Sequence, residues 1–204
     1  AVVTYDGDLK SFIYKELNLV KAVPVTEASS VGQFSMSYKL TPNMTKDQRK
    51  NHLESFDKFR DDLGYTNILN LLTRDGIYST FNYKEGPSSS DDSVIIPMKR
   101  NQANIISSTN LIVIDVDYSQ VSMEIIHEYM ESYQHILAST SDKSNDKKFR
   151  LLLPINIELD GSDNQLYSYV VRRVATDLLL EADKVSFNPA QSYYSYLDSN
   201  ILTN

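Results

Sequence analysis

Two carboxylates, Asp115 and Asp117, follow the apolar run 111–114 and are separated by Val116. Side chains alternate across a strand, so both aspartates point to one side while Val116 points to the other. Two neighbouring carboxylates repel each other unless a cation lies between them. A hard divalent ion such as Mg²⁺ or Mn²⁺, with phosphate oxygens completing its shell, is the natural partner. The spacing therefore predicts a metal site, and the alternative is a strand that ends in two solvated aspartates.

Hydroxyl and basic side chains that could hold a phosphate come next along the chain. The segment 139–142 reads Ser-Thr-Ser-Asp, and Lys147, Lys148 and Arg150 follow it. Hydroxyls and loop N–H groups can bind phosphate oxygens, while nearby cations neutralise their charge. The alternatives are a solvated turn for the lysines and, for Arg150, a buried ion pair with one of the two aspartates.

A third acid, Asp183, lies at the end of a long predicted helix. The helix dipole favours a basic residue at a helix C-terminus, so an acid there indicates that it serves something else. An ordinary surface acid is the alternative. The spacing of apolar residues predicts which face of this helix is buried. That face would carry Leu166, Tyr169, Val170, Val174, Leu178 and Ala182.

Hydrophobic patterning from residue 99 onward predicts the element order β-α-β-β-α-β. The predicted strands are 111–117, 135–138, 149–155 and 193–196, with Pro154 ending the third. This order is the split βαβ arrangement of ferredoxin-like and RNA-recognition-like sheets, in which the first and third strands are neighbours. The two aspartates of the first strand would then lie near Arg150 on the third.

Composition limits the classes of protein to consider. The chain has 204 residues, 41% of them hydrophobic, which suits one compact domain or a core with an appended subdomain. It has no Cys, which excludes disulfides, zinc–thiolate sites and thiol catalysis. The net charge of −7 argues against non-specific coating of nucleic acid, but not against an enzyme that handles nucleotides through metal ions and a local basic patch.

Neither a membrane span nor a secretory signal is predicted. No apolar run approaches the ~20 residues that cross a bilayer. The N-terminus lacks the basic start and apolar block of a signal peptide. We therefore expect a cytoplasmic protein that makes no membrane contact.

Taken together, these motifs resemble those of the archaeo-eukaryotic primase superfamily, in particular the primase–polymerase domains of phage and plasmid replication proteins. The strand ending at Asp115 and Asp117 looks like the family's first motif. The segment 139–142 with the strand 149–154 is similar to the second, and Asp183 before 187–189 is the best match to the third. The basic pair Lys99 and Arg100 ahead of the first motif also recurs in such domains. The resemblance covers roughly residues 95–200.

The resemblance implies an α/β (α+β) fold: an RNA-recognition-like catalytic core over 99–204, with an N-terminal α/β extension over 1–98. It implies template-dependent nucleotidyl transfer, as a DNA primase, a DNA polymerase or both, by metal-assisted attack of a 3′-hydroxyl on a nucleoside triphosphate. In the family pattern Asp115, Asp117 and Asp183 would be catalytic and would hold Mg²⁺ or Mn²⁺. Ser141, Lys148 and Arg150 would bind the nucleotide.

The implied partners are a single-stranded DNA template, ribo- or deoxynucleoside triphosphates, and a helicase domain or subunit on the same or another chain. The host would be a bacterial or archaeal cell. Tyr193, Tyr194 and Tyr196 could offer a base-stacking face for the template, although tyrosines at this density also commonly pack within a protein.

One residue departs from the family pattern, and two other functions stay open. Asp142 stands where the second motif carries a His that holds phosphates, and its charge would repel phosphates unless it binds the metal or turns away. A catalytically degenerate primase-fold domain that binds DNA or a replication partner is therefore an alternative. A haloacid-dehalogenase-like phosphatase, with Asp115 as nucleophile and Asp117 as acid/base, is another. The mid-chain position of the motif and the lack of βαβ winding count against the phosphatase.

Overall fold

The computed structural model describes residues 34–53, 55–86, 96–107, 109–159 and 164–204. The strands are β1 (Phe34–Leu40), β2 (Lys58–Leu63), β3 (Gly76–Ser79), β4 (Asn82–Tyr83), β5 (Ile105–Ser107), β6 (Thr109–Ser119), β7 (Ile136–Ser139), β8 (Phe149–Leu159), β9 (Leu180–Ala182), β10 (Tyr193–Ser195) and β11 (Ile201–Thr203). The α-helices are α1 (Lys46–Lys50), α2 (Tyr65–Leu72), α3 (Met123–Tyr129) and α4 (Asn164–Asp177), and the 3₁₀ helices are Gln102–Asn104 and Lys184–Phe187. The prediction of a mixed α+β protein is confirmed.

A five-stranded sheet carries the predicted acids on its central strands. Its order is β11-β7-β8-β6-β9, and every neighbouring pair is antiparallel. The prediction that the first and third strands of the series are neighbours is confirmed, because β6 pairs with β8 along most of its length. In this register Asp115 lies directly opposite Arg150.

The two faces of β6 are buried against different layers. Ile112, Ile114 and Val116 belong to the core cluster that also contains the buried residues of α3 and α4. Leu111 and Val113 belong to a second cluster, shared with the four-stranded sheet β10-β3-β1-β2. Because side chains alternate along a strand, the aspartates continue the face that looks toward the four-stranded sheet. They lie at the end of the apolar run of β6, where the side chains of Asp115 and Asp117 are 23% and 54% exposed.

The predicted strand at 193–196 is present, but it lies in a different sheet from the one expected. β10 pairs with β3 in the four-stranded sheet, and β9 takes the position beside β6 instead. Burial explains this placement, since Tyr193 lies in the core between the sheets and its hydroxyl donates to the backbone oxygen of Val113 at 3.4 Å. Its ring centroid lies 5.7 Å from that of Tyr78 on β3.

The chain's last two strands therefore join both sheets. β10 forms one edge of the four-stranded sheet, and β11 pairs with β7 at one edge of the five-stranded sheet. The four-stranded sheet thus combines β1, β2 and β3, from before residue 99, with a strand from the C-terminal part of the chain.

Pro154 does not end the third strand, as the sequence had indicated, because β8 continues to Leu159. β7 pairs with β8 only as far as Leu152, so Pro154 lies beyond the end of β7. A residue without an N–H group is tolerated in a strand where one side has no strand partner.

The buried face of α4 also differs in part from the predicted one. Tyr167, Val170, Val171, Val174 and Ala175 are buried. Leu166 and Tyr169, which were expected on that face, are 45% and 57% exposed. In the described part of the chain, no helix combines the length and apolar character needed to cross a membrane.

Candidate functional site

Asp115 and Arg150 form a buried ion pair across β6 and β8. The Nε and Nη2 groups of Arg150 donate to Oδ1 of Asp115 at 3.2 and 3.0 Å, and the two side chains are 7% and 23% exposed. Nη1 of Arg150 donates to the backbone oxygen of Tyr194. The guanidinium carbon lies 5.0 Å from the ring centroid of Tyr193 and 5.9 Å from that of Tyr78. Arg150 is therefore fixed from several sides, as the ion-pair alternative predicted.

The surroundings of Arg150 keep it charged. Burial lowers the pKa of its guanidinium, but the charge and hydrogen bond of Asp115, together with the influence of Tyr78, outweigh burial and raise the pKa above its ordinary value. Burial raises the pKa of Tyr78 to about 12, against the opposing influence of Arg150, so this phenol stays neutral at physiological pH. Arg150 is a permanent cation next to the first acid of the motif.

Asp117 and Lys148 form a second, exposed pair. Lys148 Nζ donates to Oδ1 of Asp117 at 2.8 Å, with side chains 39% and 54% exposed. The hydrogen bond to Asp117 raises the pKa of Lys148, and the charges of Asp117, Asp115 and Asp183 add to this while burial opposes it. The ammonium group thus lies within electrostatic reach of all three predicted acids. We call Asp115, Asp117 and Asp183 the acid cluster.

Asp183 joins this cluster because β9 lies beside β6. Its N–H group donates to the backbone oxygen of Asp115 at 2.8 Å. Its carboxylate caps the 3₁₀ helix Lys184–Phe187, since Oδ1 accepts from the N–H of Val185 at 3.1 Å. Ser186 in the same turn is buried, and its hydroxyl accepts from the N–H of Asp115 at 2.8 Å. Residues after β9 therefore bond both the N–H group and the carbonyl oxygen of Asp115.

Ser186 is a site residue that the sequence did not reveal. A single serine between Val185 and Phe187 belongs to no recognisable motif. Its hydrogen bond to Asp115 depends on the pairing of β9 with β6. No local signal could have identified it.

Ser141 and Asp142 lie in an exposed loop. Oδ1 of Asp142 accepts from the N–H and hydroxyl of Ser144 at 3.2 and 2.7 Å, so this carboxylate stabilises a local turn. Lys143 of the same loop donates to the backbone oxygen of Leu197 at 2.7 Å. Among the described residues, no hydrogen bond joins Ser141 to the acid cluster. Of the three predicted nucleotide-binding residues, Lys148 and Arg150 lie at the cluster and Ser141 is not bonded to it.

The other predicted contact residues have structural partners. Arg100 donates through Nη1 to Oε1 of Gln191 at 3.0 Å, which ties the segment before β6 to the segment before β10. Tyr193 is only 3% exposed, so it cannot present a stacking face. Tyr194 and Tyr196 flank the guanidinium of Arg49, whose carbon lies 5.3 and 4.9 Å from their ring centroids. Their faces are therefore partly occupied by a residue of the same chain.

The acid cluster has the donor chemistry for a divalent cation. Carboxylate oxygens are the ligands that Mg²⁺ and Mn²⁺ prefer. Across the described residues, however, no three His, Asp or Glu side chains stand close enough to hold an ion together. Lys148 and Arg150 supply the positive charge in the present arrangement. For Asp117 and Asp183 to hold one ion together with Asp115, the carboxylates themselves would have to move closer together.

Comparison with known proteins gives no match. No family model matches the chain, and searches of curated proteins and of solved structures find no similar protein. Conclusions on function therefore depend on the residues themselves and on their geometry.

Proposed function

We propose that this domain carries out template-dependent nucleotidyl transfer, as a primase, a polymerase or both, in phage or plasmid DNA replication. The observation that carries the proposal is the hydrogen bond from the N–H of Asp183 to the backbone oxygen of Asp115. This bond brings the backbone of Asp183 beside the end of β6 that carries Asp115 and Asp117, where Lys148 also lies. In this proposal the domain acts on single-stranded DNA and nucleoside triphosphates beside a helicase, in the cytoplasm of a bacterial or archaeal host.

The order of the five-stranded sheet supports an RNA-recognition-like core. Without β11, the strands stand in the order β7-β8-β6-β9, with α3 after β6 and α4 after β8. A split βαβ sheet would have its strands in this order, which supports the proposal, and Asp115 and Asp117 lie on the inner strand β6. The fourth strand is β9 rather than the segment 193–196, which places Asp183 directly after it.

The residues around the acid cluster have distinct tasks in this proposal. A bound Mg²⁺ or Mn²⁺ would lower the pKa of the attacking hydroxyl and neutralise phosphate charge. Arg150 and Ser186 fix the orientation of Asp115, one through its side chain and the other through its backbone. Because the Lys148 side chain is exposed and flexible, its ammonium group can leave Asp117 and bind a phosphate. Arg150, buried and multiply bonded, is better placed to hold Asp115 than to reach a nucleotide.

A binding domain without catalysis is the second candidate. Both aspartates of β6 are already neutralised by basic side chains, and Asp142 is engaged in a turn. That arrangement favours a degenerate primase-fold domain that recognises DNA or a replication partner. The phosphatase alternative gains no such support, because the five-stranded sheet is antiparallel throughout rather than doubly wound.

Nucleotide incorporation on single-stranded DNA, with and without an annealed primer, tests the proposal. The assay is run with Mg²⁺ or Mn²⁺ on the parent protein, on Asp117→Asn and Asp183→Asn, and on the double variant Asp115→Ala/Asp117→Ala. The matched control is Asp57→Asn, which removes an acid from the Lys39–Asp57 ion pair on the four-stranded sheet. We expect metal-dependent products from the parent and the control, and a loss of at least about a hundredfold in the cluster variants, since positioned metal ligands supply several kcal/mol of transition-state stabilisation.

Two outcomes would contradict the proposal. One is no incorporation by a parent protein that circular dichroism shows to be folded, and DNA binding by that protein would then favour the second candidate. The other is incorporation that the cluster variants retain, which would place the chemistry elsewhere. The unprimed reaction decides between priming and extension.

A further inference from the structure

An open cavity lies away from the acid cluster. It has a volume of about 550 Å³ and is formed by the start of α4, the 3₁₀ helix Gln102–Asn104 and the segment 187–189. None of the three cluster acids lines it. Its volume falls within the range of roughly 300–1,000 Å³ that is typical of small-molecule sites. We call it the α4 cavity.

Flat side chains form part of its wall. The guanidinium carbon of Arg172 lies 3.8 Å from the ring centroid of Phe187, a stacked arrangement, and Nε of Arg172 donates to the hydroxyl of Ser168 at 3.3 Å. Tyr169, one residue further along α4, is 57% exposed and lines the same cavity. Aromatic rings and stacked guanidinium planes are the surfaces on which nucleobases bind.

Side-chain amides line the cavity next to these flat groups. Gln102, Asn164 and Gln165 contribute them, and each amide carries both donors and an acceptor. Asn and Gln amides pair with the edge of adenine, which also presents one donor and one acceptor. Oδ1 of Asn164 is buried and has no hydrogen-bond partner among the described residues. An acceptor without a partner in the described part of the chain is a position at which a ligand donor could bind.

The charge of the cavity admits a phosphate-bearing ligand. Among the described residues that line it, Arg172 is the only charged one, although the whole chain carries a net charge of −7. A phosphate attached to a bound base would therefore meet the cation of Arg172, and no carboxylate from the described part of the lining.

We propose that the α4 cavity binds an unpaired nucleobase, stacked on Tyr169 or on the Arg172–Phe187 pair and held at its edge by the amides. The base could belong to a single strand or to a free nucleoside triphosphate. This site goes beyond the nucleotidyl transfer proposed above, and it needs no divalent ion. Its ligand would also lie against the turn that holds Asp115, because Phe187 and Ser186 are adjacent in the 3₁₀ helix Lys184–Phe187.

Fluorescence anisotropy in EDTA tests this inference. The probes are a fluorescein-labelled oligo(dA), the same oligonucleotide with abasic sites, and a fluorescent ATP analogue. Tyr169→Ala and Arg172→Gln are compared with Ile125→Ala, an exposed apolar residue on α3, and Arg74→Gln, an exposed arginine after α2. Stacking of one base is worth ~1–3 kcal/mol, so we expect the cavity variants to bind oligo(dA) or the ATP analogue at least about fivefold more weakly. The controls should change less than twofold.

The three probes distinguish whether the base belongs to a strand or to a free nucleotide. Loss of oligo(dA) binding in the variants, with weak binding of the abasic strand, indicates a strand as the ligand. ATP-analogue binding that oligo(dA) does not displace indicates a free nucleotide. Arg172→Lys keeps the charge but loses the planar stack, so it should weaken binding to a smaller extent than Arg172→Gln.

The inference is overturned if the parent binds neither probe in EDTA, or if the cavity variants and the controls bind equally. Equal binding of the intact and abasic strands would also overturn it if the cavity variants bind the ATP analogue as tightly as the parent does. A protein that binds bases at the cavity but shows no metal-dependent incorporation would keep this inference while rejecting the proposed function.

Discussion

The two ion pairs at the end of β6 differ in burial, and this difference separates their roles. Arg150 is almost fully buried and makes contacts to Asp115 and Tyr194. Removing one partner of a buried pair costs about 3–5 kcal/mol because it leaves an uncompensated charge, so Arg150 serves the structure whatever the domain does. The Lys148–Asp117 pair is exposed, and such pairs contribute about 0–1 kcal/mol. It can therefore break at little cost.

Replacing Lys148 should therefore improve cation binding at the acid cluster. In Lys148→Met the carboxylates lose a positive charge that lies 2.8 Å from Asp117 Oδ1, and a divalent ion no longer competes with it. Unit charges about 4 Å apart interact by ~1 kcal/mol in water and more near a protein surface, so we expect Mn²⁺ to bind at least about fivefold more tightly. Isothermal titration calorimetry or the Mn²⁺ electron paramagnetic resonance signal measures the change.

Lys143→Met is the matched control for that experiment. It removes a lysine from the same loop whose Nζ donates to the backbone oxygen of Leu197 rather than to an acid. Unchanged Mn²⁺ affinity in Lys148→Met, or an equal gain in both variants, would contradict the role given to Lys148. Incorporation by Lys148→Met should fall even though its metal affinity rises, because the phosphate-binding cation is lost.

At the scale of elements, the short strand β9 decides where the third acid lies. α4 ends at Asp177, and Leu179, two residues later, has a φ of 55° in the left-handed region. The chain then reverses direction into β9, which pairs with β6. A left-handed residue after a helix is a common way to end it, but glycine is the usual residue there. A Leu at such a φ is strained by roughly 1–2 kcal/mol.

Leu179→Gly should consequently stabilise the protein. Glycine removes the strain but loses roughly 0.5–1 kcal/mol to its greater backbone freedom, so the net gain should be about 0.5–1 kcal/mol. Little burial is lost, since Leu179 is 60% exposed. Urea unfolding measures the change, and Leu197→Gly is the control because Leu197 is similarly exposed without a positive φ. A lower unfolding midpoint for Leu179→Gly would show that the turn is not strained.

The same elements show what could be predicted from the sequence. β6 was recognisable because its apolar run and its acids form a local pattern, and the neighbouring strands were located from similar runs. β9 was not, because Leu180, Glu181 and Ala182 are too few to show a period. Which sheet the strand of Tyr193 joins depends on which of the two cores buries the tyrosine ring. No local sequence rule predicts this choice. The sequence therefore predicts which three acids form the acid cluster. It does not predict that Ser186 bonds the backbone of Asp115 or that Lys148 pairs with Asp117.

At the scale of the whole molecule, a buried histidine makes stability depend on pH. Nδ1 of His135 lies 2.8 Å from the backbone oxygen of Tyr133, and its Nε2 lies 2.8 Å from Nδ1 of His127. Burial lowers the pKa of His135 below its ordinary value, and the neighbouring His127 lowers it further, against the opposing bond to Tyr133. The unfolded chain therefore takes up a proton at a higher pH than the folded protein does. The contribution of this group is full above the unfolded pKa of about 6.5 and is lost progressively below it.

We expect the free energy of unfolding to decrease between pH 7.5 and pH 5, with a smaller decrease in His135→Gln. Urea titrations at the two pH values measure both slopes. His52→Gln is the control, because His52 is only partly buried and lies in the turn after α1. Equal slopes for the parent and His135→Gln would show that other groups carry the pH dependence.

The position of β10 and β11 has a consequence for how the chain is made. On the ribosome these two strands emerge after all the strands with which they pair. Until residues 193–203 have left the exit tunnel, β3 and β7 are unprotected edges of their sheets. Open edges invite pairing with other chains. The nascent protein thus passes through an aggregation-prone stage that ends for both sheets at nearly the same moment of translation.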